Sequence, residues 1–141
     1  MTEKVFQSRY CFVCGRDNPT GLNLPFVYDG KTVTAEFLPT ADHCGFDGIV
    51  HAGILFALAD EAMMHLIHAR AIKAITAEVA IRFKRHAPID ELLTVRTGPL
   101  KIGAHMAECS ATVADKGGST ICAASGKFLY YQGKQSYHKT W

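Results

Sequence analysis

Two adjacent carboxylates, Asp60 and Glu61, interrupt a long apolar stretch that runs from Ile54 to Ala69. An ionised carboxylate among apolar neighbours costs free energy unless it has a partner or a function. Such a group can serve as a general base or as a nucleophile. The alternative is a solvated stripe on a helix, which the neighbouring leucine, alanine and methionine residues disfavour. Adjacent helical residues point about 100° apart, so both carboxylates are not expected to face one reacting atom.

The residues His51, Ala52 and Gly53 precede this stretch and mark the expected start of a helix. A helix N-terminus leaves backbone N–H groups unpaired and carries the positive end of the helix dipole. Such groups can stabilise a developing oxyanion. The His51 imidazole could act as a general base, but at the start of a helix a capping or loop-anchoring role is commoner.

Cys11 and Cys14 have the spacing of zinc ligands, and His43 and Cys44 are the obvious further candidates. The sequence contains no second Cys-x-x-Cys pair, and a single pair is weak evidence for zinc. We therefore predict packed thiols, no metal and no organic cofactor.

Sequence patterns place the two carboxylates on one helix of an α+β domain. Residues 22–37 predict a hairpin, because Asp29-Gly30 is a strong two-residue turn signal between apolar runs. Residues 54–69 are rich in Ala, Leu and Met, which favour a helix buried on several sides. The segments 75–85, 92–102, 105–115 and 119–131 alternate like antiparallel strands. One sheet of this length leaves edges to cover, so self-association is expected.

Composition and length narrow the class of protein. The chain has 141 residues, of which 48% are hydrophobic and 20% charged, so we expect a single domain over residues 1–141. Residues 1–21 are expected to be irregular, and residues 132–141 to form a tail.

A net charge of +2 argues against a general nucleic-acid binder. The N-terminus lacks a long apolar stretch, so we expect neither a signal peptide nor a membrane span. Five cysteines without export signals fit a reducing cytoplasm.

The stretch Gly48-Ile49-Val50-His51-Ala52-Gly53, followed after six residues by Asp60, resembles the signature of the hot-dog thioesterase superfamily. The similarity is greatest to the phenylacetate-degradation type of acyl-CoA thioesterase. Two further segments support it: residues 11–22, which read Cys-Phe-Val-Cys-Gly-Arg-Asp-Asn-Pro-Thr-Gly-Leu, and residues 76–88. The resemblance implies a hot-dog fold, in which an antiparallel sheet wraps a central helix.

The resemblance also implies roles for individual residues. Asp60 would be the catalytic carboxylate, and the backbone N–H of Ala52, with that of Gly53, would hold the oxyanion. Most relatives have Gly at the position of Ala52, but alanine keeps the N–H. His43 and Cys44 lie where relatives often place a polar partner for the thioester, although no Asn lies between Asp42 and His51.

The basic residues 82, 84 and 85 and the carboxylate of Glu61 each have two possible roles, one of which is substrate binding. Arg82, Lys84 and Arg85 form a basic group that is either a solvated strand face or a contact for the phosphates of CoA. Glu61 is expected to be a substrate contact, with the role of catalytic carboxylate in place of Asp60 as the alternative.

The distance from Asp60 to Ala52 predicts a shared site. Eight residues along a helix correspond to roughly 12 Å, too far for one chain to present both groups to one carbonyl. Antiparallel helices across a dimer axis would bring Asp60 of one subunit to Ala52 of the other. We therefore predict a homodimer, which could pair again into a tetramer.

The resulting hypothesis is a cytoplasmic hydrolase of acyl-CoA or aryl-CoA thioesters that uses neither metal nor cofactor. Two rival hypotheses remain: a hot-dog dehydratase acting on 3-hydroxyacyl thioesters, and a non-catalytic acyl-CoA-binding module. Dehydratases usually carry Pro-Gly before the helix, whereas this chain has Phe46-Asp47-Gly48-Ile49. No DNA-reading segment accompanies the domain.

Overall fold

The computed structural model describes residues 3–4 and 8–130 of the chain. These residues form one long α-helix, a short 3₁₀ helix and seven strands. In chain order they are β1 (Glu3–Lys4), β2 (Val27–Tyr28), β3 (Val33–Phe37), the 3₁₀ helix Ala41–His43, α1 (Ala52–His68), β4 (Ala74–Phe83), β5 (Leu93–Ile102), β6 (Met106–Ala114) and β7 (Thr120–Tyr130). The strands form one antiparallel sheet in the order β1-β2-β3-β5-β6-β7-β4. This confirms the predicted α+β architecture.

The helix α1 packs against the sheet through one buried face, which is apolar apart from His65. Its buried residues recur at helical spacing and are Leu55, Leu58, Ala59, Ala62, Met63, His65, Leu66 and Ile67. The facing strand residues, such as Val95, Ala107, Val113 and Phe128, are also almost fully buried. Asp60 and Glu61 lie on the flanks of this face and are only partly exposed. None of the helices among the described residues has both the length and the apolarity of a membrane span.

The predicted hairpin is present, but its turn is longer than expected. Tyr28 pairs with Val33, so four residues connect β2 and β3. The Asp29 carboxylate accepts hydrogen bonds from the backbone N–H groups of Lys31 and Thr32, at 2.8 and 2.7 Å, and this stabilises the wider loop. Gly30 has a φ of 95°, a conformation that favours glycine.

The N-terminal segment is less irregular than predicted. Glu3–Lys4 pairs with β2, whereas residues 8–24 have no strand or helix. This loop is nevertheless tied down, because Leu22 and Leu24 donate backbone hydrogen bonds to Phe12 and Val13. The predicted tail at 132–141 lies outside the described residues.

Strand β4 forms one edge of the sheet. Within the described residues it pairs only with β7, so the backbone groups along its other edge have no strand partner. Its alternating apolar residues are not buried: Val79 and Ile81 are partly exposed, and the exposed fraction of Phe83 is 44%. An edge strand with exposed apolar side chains is a surface suited to association.

Candidate active site

Asp60 contacts Thr76 across the space between α1 and β4. The Thr76 hydroxyl donates a hydrogen bond of 2.8 Å to Asp60 Oδ1. Thr76 lies near the start of β4, next to an irregularity in the pairing of β4 with β7 between Thr76 and Glu78. Asp60 Oδ2 has no hydrogen-bond partner among the residues that the structure describes, so it is free to meet a water molecule or a substrate. Thr76 thus orients one oxygen of the carboxylate and leaves the other available.

The position of Asp60 on α1 affects its acidity. Partial burial beside the apolar core raises the pKa of Asp60, while the Thr76 hydrogen bond opposes the shift and the nearby Glu61 charge adds to it. A carboxylate that is poorly hydrated and held by one hydrogen bond is more basic than one in water. Such a group suits proton abstraction or nucleophilic attack.

The N-terminus of α1 is open to solvent and is capped by His51. His51 Nδ1 accepts a hydrogen bond of 2.8 Å from the Gly53 N–H. The structure therefore supports a capping geometry for His51. The resemblance implies that the Gly53 N–H helps to hold the oxyanion, but in this structure His51 already accepts its hydrogen bond. The N–H of Ala52 has no acceptor in the part of the chain that the structure describes, and Ala52 is exposed. Ala52 is thus the available donor at this helix end.

Glu61 points to different neighbours from Asp60. Its Oε1 accepts from the Cys11 thiol at 3.3 Å, from the Cys14 thiol at 3.2 Å and from His65 Nε2 at 3.1 Å. The ring of His65 is stacked on Phe26, with centroids 4.6 Å apart. Glu61 is therefore engaged with the N-terminal loop and with His65, and its role as a substrate contact stays a prediction.

These contacts change the acidity of the groups involved. Burial disfavours the ionised form of Glu61. The hydrogen bond and charge interaction with His65, followed by the hydrogen bonds from Cys14 and Cys11, outweigh burial, so the pKa of Glu61 is lowered. The hydrogen bond with the Cys14 side chain is the main cause that lowers the pKa of Cys11 to about 7. The same contact, together with burial, raises the pKa of Cys14. The two thiols are therefore not equivalent.

His43 and Cys44 belong to a tightly bonded loop before α1. His43 Nδ1 accepts a hydrogen bond of 2.8 Å from the Thr40 N–H, and its ring meets the edge of Phe37. Its carbonyl accepts from the His51 N–H at 2.9 Å, and Cys44 forms an isolated backbone bridge with Val50. The contacts of these residues fix the loop that leads into the helix.

Of the three basic residues at positions 82, 84 and 85, one forms an ion pair and two are exposed to solvent. Arg85 donates to Asp115 at 2.5 Å, which occupies its guanidinium, whereas the side chains of Arg82 and Lys84 are exposed. Arg82 lies on β4, and Lys84 follows it. Of the three, Arg82 and Lys84 keep their charges available.

Thr76 is the site residue that the sequence did not single out. A threonine in a strand is ordinary, because its side chain favours β-structure, and nothing in the local sequence couples it to a helix sixteen residues earlier. The useful signal would have been its place at the start of the first strand after the helix.

A family profile decides the identity of the domain. The profile of the thioesterase superfamily matches residues 47–122, more than half of the chain, including the helix and most of the sheet. The chain belongs to the thioesterase superfamily. A search of curated protein sequences finds no match.

Solved structures confirm the hot-dog fold of this thioesterase-superfamily chain. A structure described as a thioesterase superfamily protein aligns with a TM-score of 0.80 and 20% identity over 86% of this chain. This chain spans only 60% of that protein's length. The Escherichia coli PaaI protein from the phenylacetic acid degradation operon aligns with a TM-score of 0.71 and 20% identity, covering 77% of this chain and 83% of its own. At these identities the comparison supports the fold.

A third similar structure is a hypothetical thioesterase from Streptococcus pneumoniae TIGR4 with coenzyme A. It has a TM-score of 0.69 and 18% identity, and the alignment covers 75% of this chain and 82% of that one. Two further structures of that protein carry an aspartate changed to alanine and a threonine changed to alanine, at positions sixteen residues apart. In this chain Asp60 and Thr76 are also sixteen residues apart.

Proposed function

We propose that this protein hydrolyses acyl-CoA or aryl-CoA thioesters, with Asp60 as the reacting carboxylate. The observation that carries the proposal is the partly buried Asp60, which is held by Thr76 through one oxygen and open at the other. The aspartate and threonine changed in the Streptococcus pneumoniae protein have the same spacing, which supports a joint role for the pair.

Two routes of hydrolysis use the same carboxylate. In the first, Asp60 takes a proton from water as that water attacks the thioester carbonyl carbon, and the tetrahedral intermediate expels the CoA sulfur, which is then protonated. In the second, Asp60 attacks the carbonyl carbon, expels CoA and forms an anhydride that water hydrolyses. A single turnover in ¹⁸O-labelled water separates them: only the second route can leave label in the Asp60 peptide.

The oxyanion of either intermediate would be held by the Ala52 N–H at the start of α1. This N–H is exposed and unpaired among the described residues, and the positive end of the helix dipole favours negative charge there. The His51 cap orients the first turn through Gly53 and is proposed as a positioning residue.

The complete site would be built in a homodimer, because Ala52 and Asp60 are roughly 12 Å apart along one helix. The exposed edge and partly exposed apolar residues of β4 support association on the side of the domain that carries Thr76. Arg82 and Lys84, exposed at the end of this strand, would contact the phosphates of CoA. The dimer could pair again into a tetramer, and no nucleic-acid or membrane partner is proposed.

A panel of CoA thioesters tests the proposal. Release of free acid and CoA is followed for short acyl, long acyl and aryl substrates, with dehydration of a 3-hydroxyacyl-CoA measured alongside. Hydrolysis by the wild type, lost in Asp60→Asn but retained in Glu36→Gln on the exposed side of β3, is the expected result. Dehydration without hydrolysis, or binding without turnover across the panel, would exclude this function.

A further inference from the structure

Three side chains from distant parts of the sequence meet at one partly buried point beside α1. The Sγ atoms of Cys11 and Cys14 and a carboxylate oxygen of Glu61 all lie within 4.8 Å of one another. Cys11 and Cys14 are 50 and 47 residues from Glu61, so the tertiary structure creates the cluster. The proposed hydrolysis does not use it.

We propose that Cys11, Cys14 and Glu61 bind a zinc-class divalent cation. Two sulfur ligands and one carboxylate are a donor set suited to zinc, for which Zn–S distances are about 2.3 Å and Zn–O distances about 2.0–2.2 Å. Ligand atoms at such distances in a tetrahedron are separated by roughly 3.5–4 Å. The S–O separations of 3.2 and 3.3 Å are close to this spacing, so small side-chain movements would bring all three atoms to ligand positions and leave the fourth position to solvent.

The Cys-x-x-Cys loop is already shaped as a ligand-bearing turn. The Cys14 N–H donates to Cys11 Sγ at 3.4 Å, and the Gly15 N–H donates to the Cys11 carbonyl at 2.8 Å. A Cβ on Gly15 would come within 2.4 Å of the Cys11 backbone nitrogen, so the close turn requires glycine. The backbone therefore holds both sulfur atoms on the same side without help from a metal.

His65 orients the carboxylate that completes the cluster. Its exposed fraction is 1%, and its Nδ1 has no hydrogen-bond partner within the described residues. Its Nε2 lies 3.1 Å from Glu61 Oε1, so the ring contacts the carboxylate through this nitrogen and fixes its position. Metal-binding carboxylates are commonly fixed by such an outer hydrogen bond.

The charge of the cluster is compatible with a divalent cation. In the bound state two thiolates and one carboxylate would carry three negative charges, which the ion would reduce to one. Binding displaces the protons of the two thiols to solvent, as for other thiolate sites. The ion would connect the N-terminal loop to α1 one residue from Asp60. It would stabilise that connection and take no part in hydrolysis, so the inference does not depend on the proposed function.

Cobalt(II) and zinc titrations of the reduced full-length protein test the site. We expect about one equivalent of metal per chain, as for a dedicated thiolate site, and a thiolate-to-cobalt charge-transfer band that zinc abolishes. Cys14→Ser should remove the band, and Glu61→Gln should weaken cobalt affinity by at least ~10-fold, the scale of even an outer-ligand loss. Cys44→Ser is the matched control and should bind as the wild type.

Alkylation followed by mass spectrometry keeps the test decisive if a variant fails to fold. Zinc should protect Cys11 and Cys14 of the wild type from a thiol reagent, while the partly exposed Cys44 stays reactive. A wild type that gives no charge-transfer band would overturn the proposal. So would metal binding that survives Cys14→Ser, or zinc that leaves Cys11 and Cys14 unprotected.

Discussion

The hydroxyl of Thr76 on β4 donates a 2.8 Å hydrogen bond to the carboxylate of Asp60 on α1. This contact joins the helix to the exposed edge strand of the sheet. It holds one carboxylate oxygen and leaves the other free, so Thr76 is expected to position the reacting group.

Replacing Thr76 tests that positioning role. Thr76→Val keeps the shape of the side chain but removes the hydroxyl, and a hydrogen bond to a charged group contributes about 1.5–3 kcal/mol. Since 1.36 kcal/mol corresponds to tenfold in rate, kcat should fall about 10- to 100-fold. Thr76→Ser keeps the hydroxyl and should recover most of the activity with little change in KM. Equal kcat values for the valine and serine variants would contradict the role.

Replacing Asp60 tests the reacting group itself. Asp60→Asn should lower kcat by at least ~10²-fold, because the amide can neither accept the proton nor attack the carbonyl carbon. The melting temperature should not fall, since the substitution removes a carboxylate whose ionised form is disfavoured by burial. Glu61→Gln should lower kcat much less. If Glu61→Gln abolished turnover and Asp60→Asn did not, Glu61 and not Asp60 would be the catalytic carboxylate.

Mixing two inactive variants tests whether the site is shared between chains. One variant carries Asp60→Asn, and the other carries Ala52→Trp, which fills the space beside the helix N-terminus. After subunit exchange half of the dimers are mixed, and each should contain one intact composite site. About a quarter of wild-type activity should therefore return, by the symmetry of a two-fold dimer. Verified exchange without recovery, or a strictly monomeric active enzyme, would rule out the shared site.

Replacing Gly15, in the close turn after Cys14, is expected to lower the stability of the fold. In Gly15→Ala the new Cβ would lie 2.4 Å from the Cys11 nitrogen and 2.6 Å from its carbonyl oxygen, so the loop must shift. The free energy of unfolding should fall by about 1–3 kcal/mol, the usual cost of overpacking. Gly117→Ala is the matched control, because its Cβ meets only Asp115 Oδ1 at 3.4 Å, and it should change stability by less than about 0.5 kcal/mol. Urea denaturation of the three proteins measures both effects.

The sequence by itself determined the elements and the place of the carboxylates on the helix. The apolar run predicted α1 to within two residues of its observed start at Ala52, and alternation predicted β5, β6 and β7. These successes share a cause: helical and strand periodicities are local, and they are set by which neighbouring residues must be buried. The 100° step between adjacent helical residues also predicts that Asp60 and Glu61 face different neighbours.

The tertiary structure alone decided what each carboxylate meets. Thr76 contacts Asp60 because β4 lies beside α1 at the edge of the sheet. The alternating pattern of a strand does not indicate which residue of another element a given side chain will contact. The sequence predicts packed thiols at Cys11 and Cys14, with only His43 and Cys44 as obvious further candidates for a metal ligand. Glu61 lies beside both thiols although it is about fifty residues away in the sequence, since docking of the N-terminal loop onto the helix flank brings the three side chains together. Local sequence preferences cannot specify such contacts, because they depend on how whole elements pack against one another.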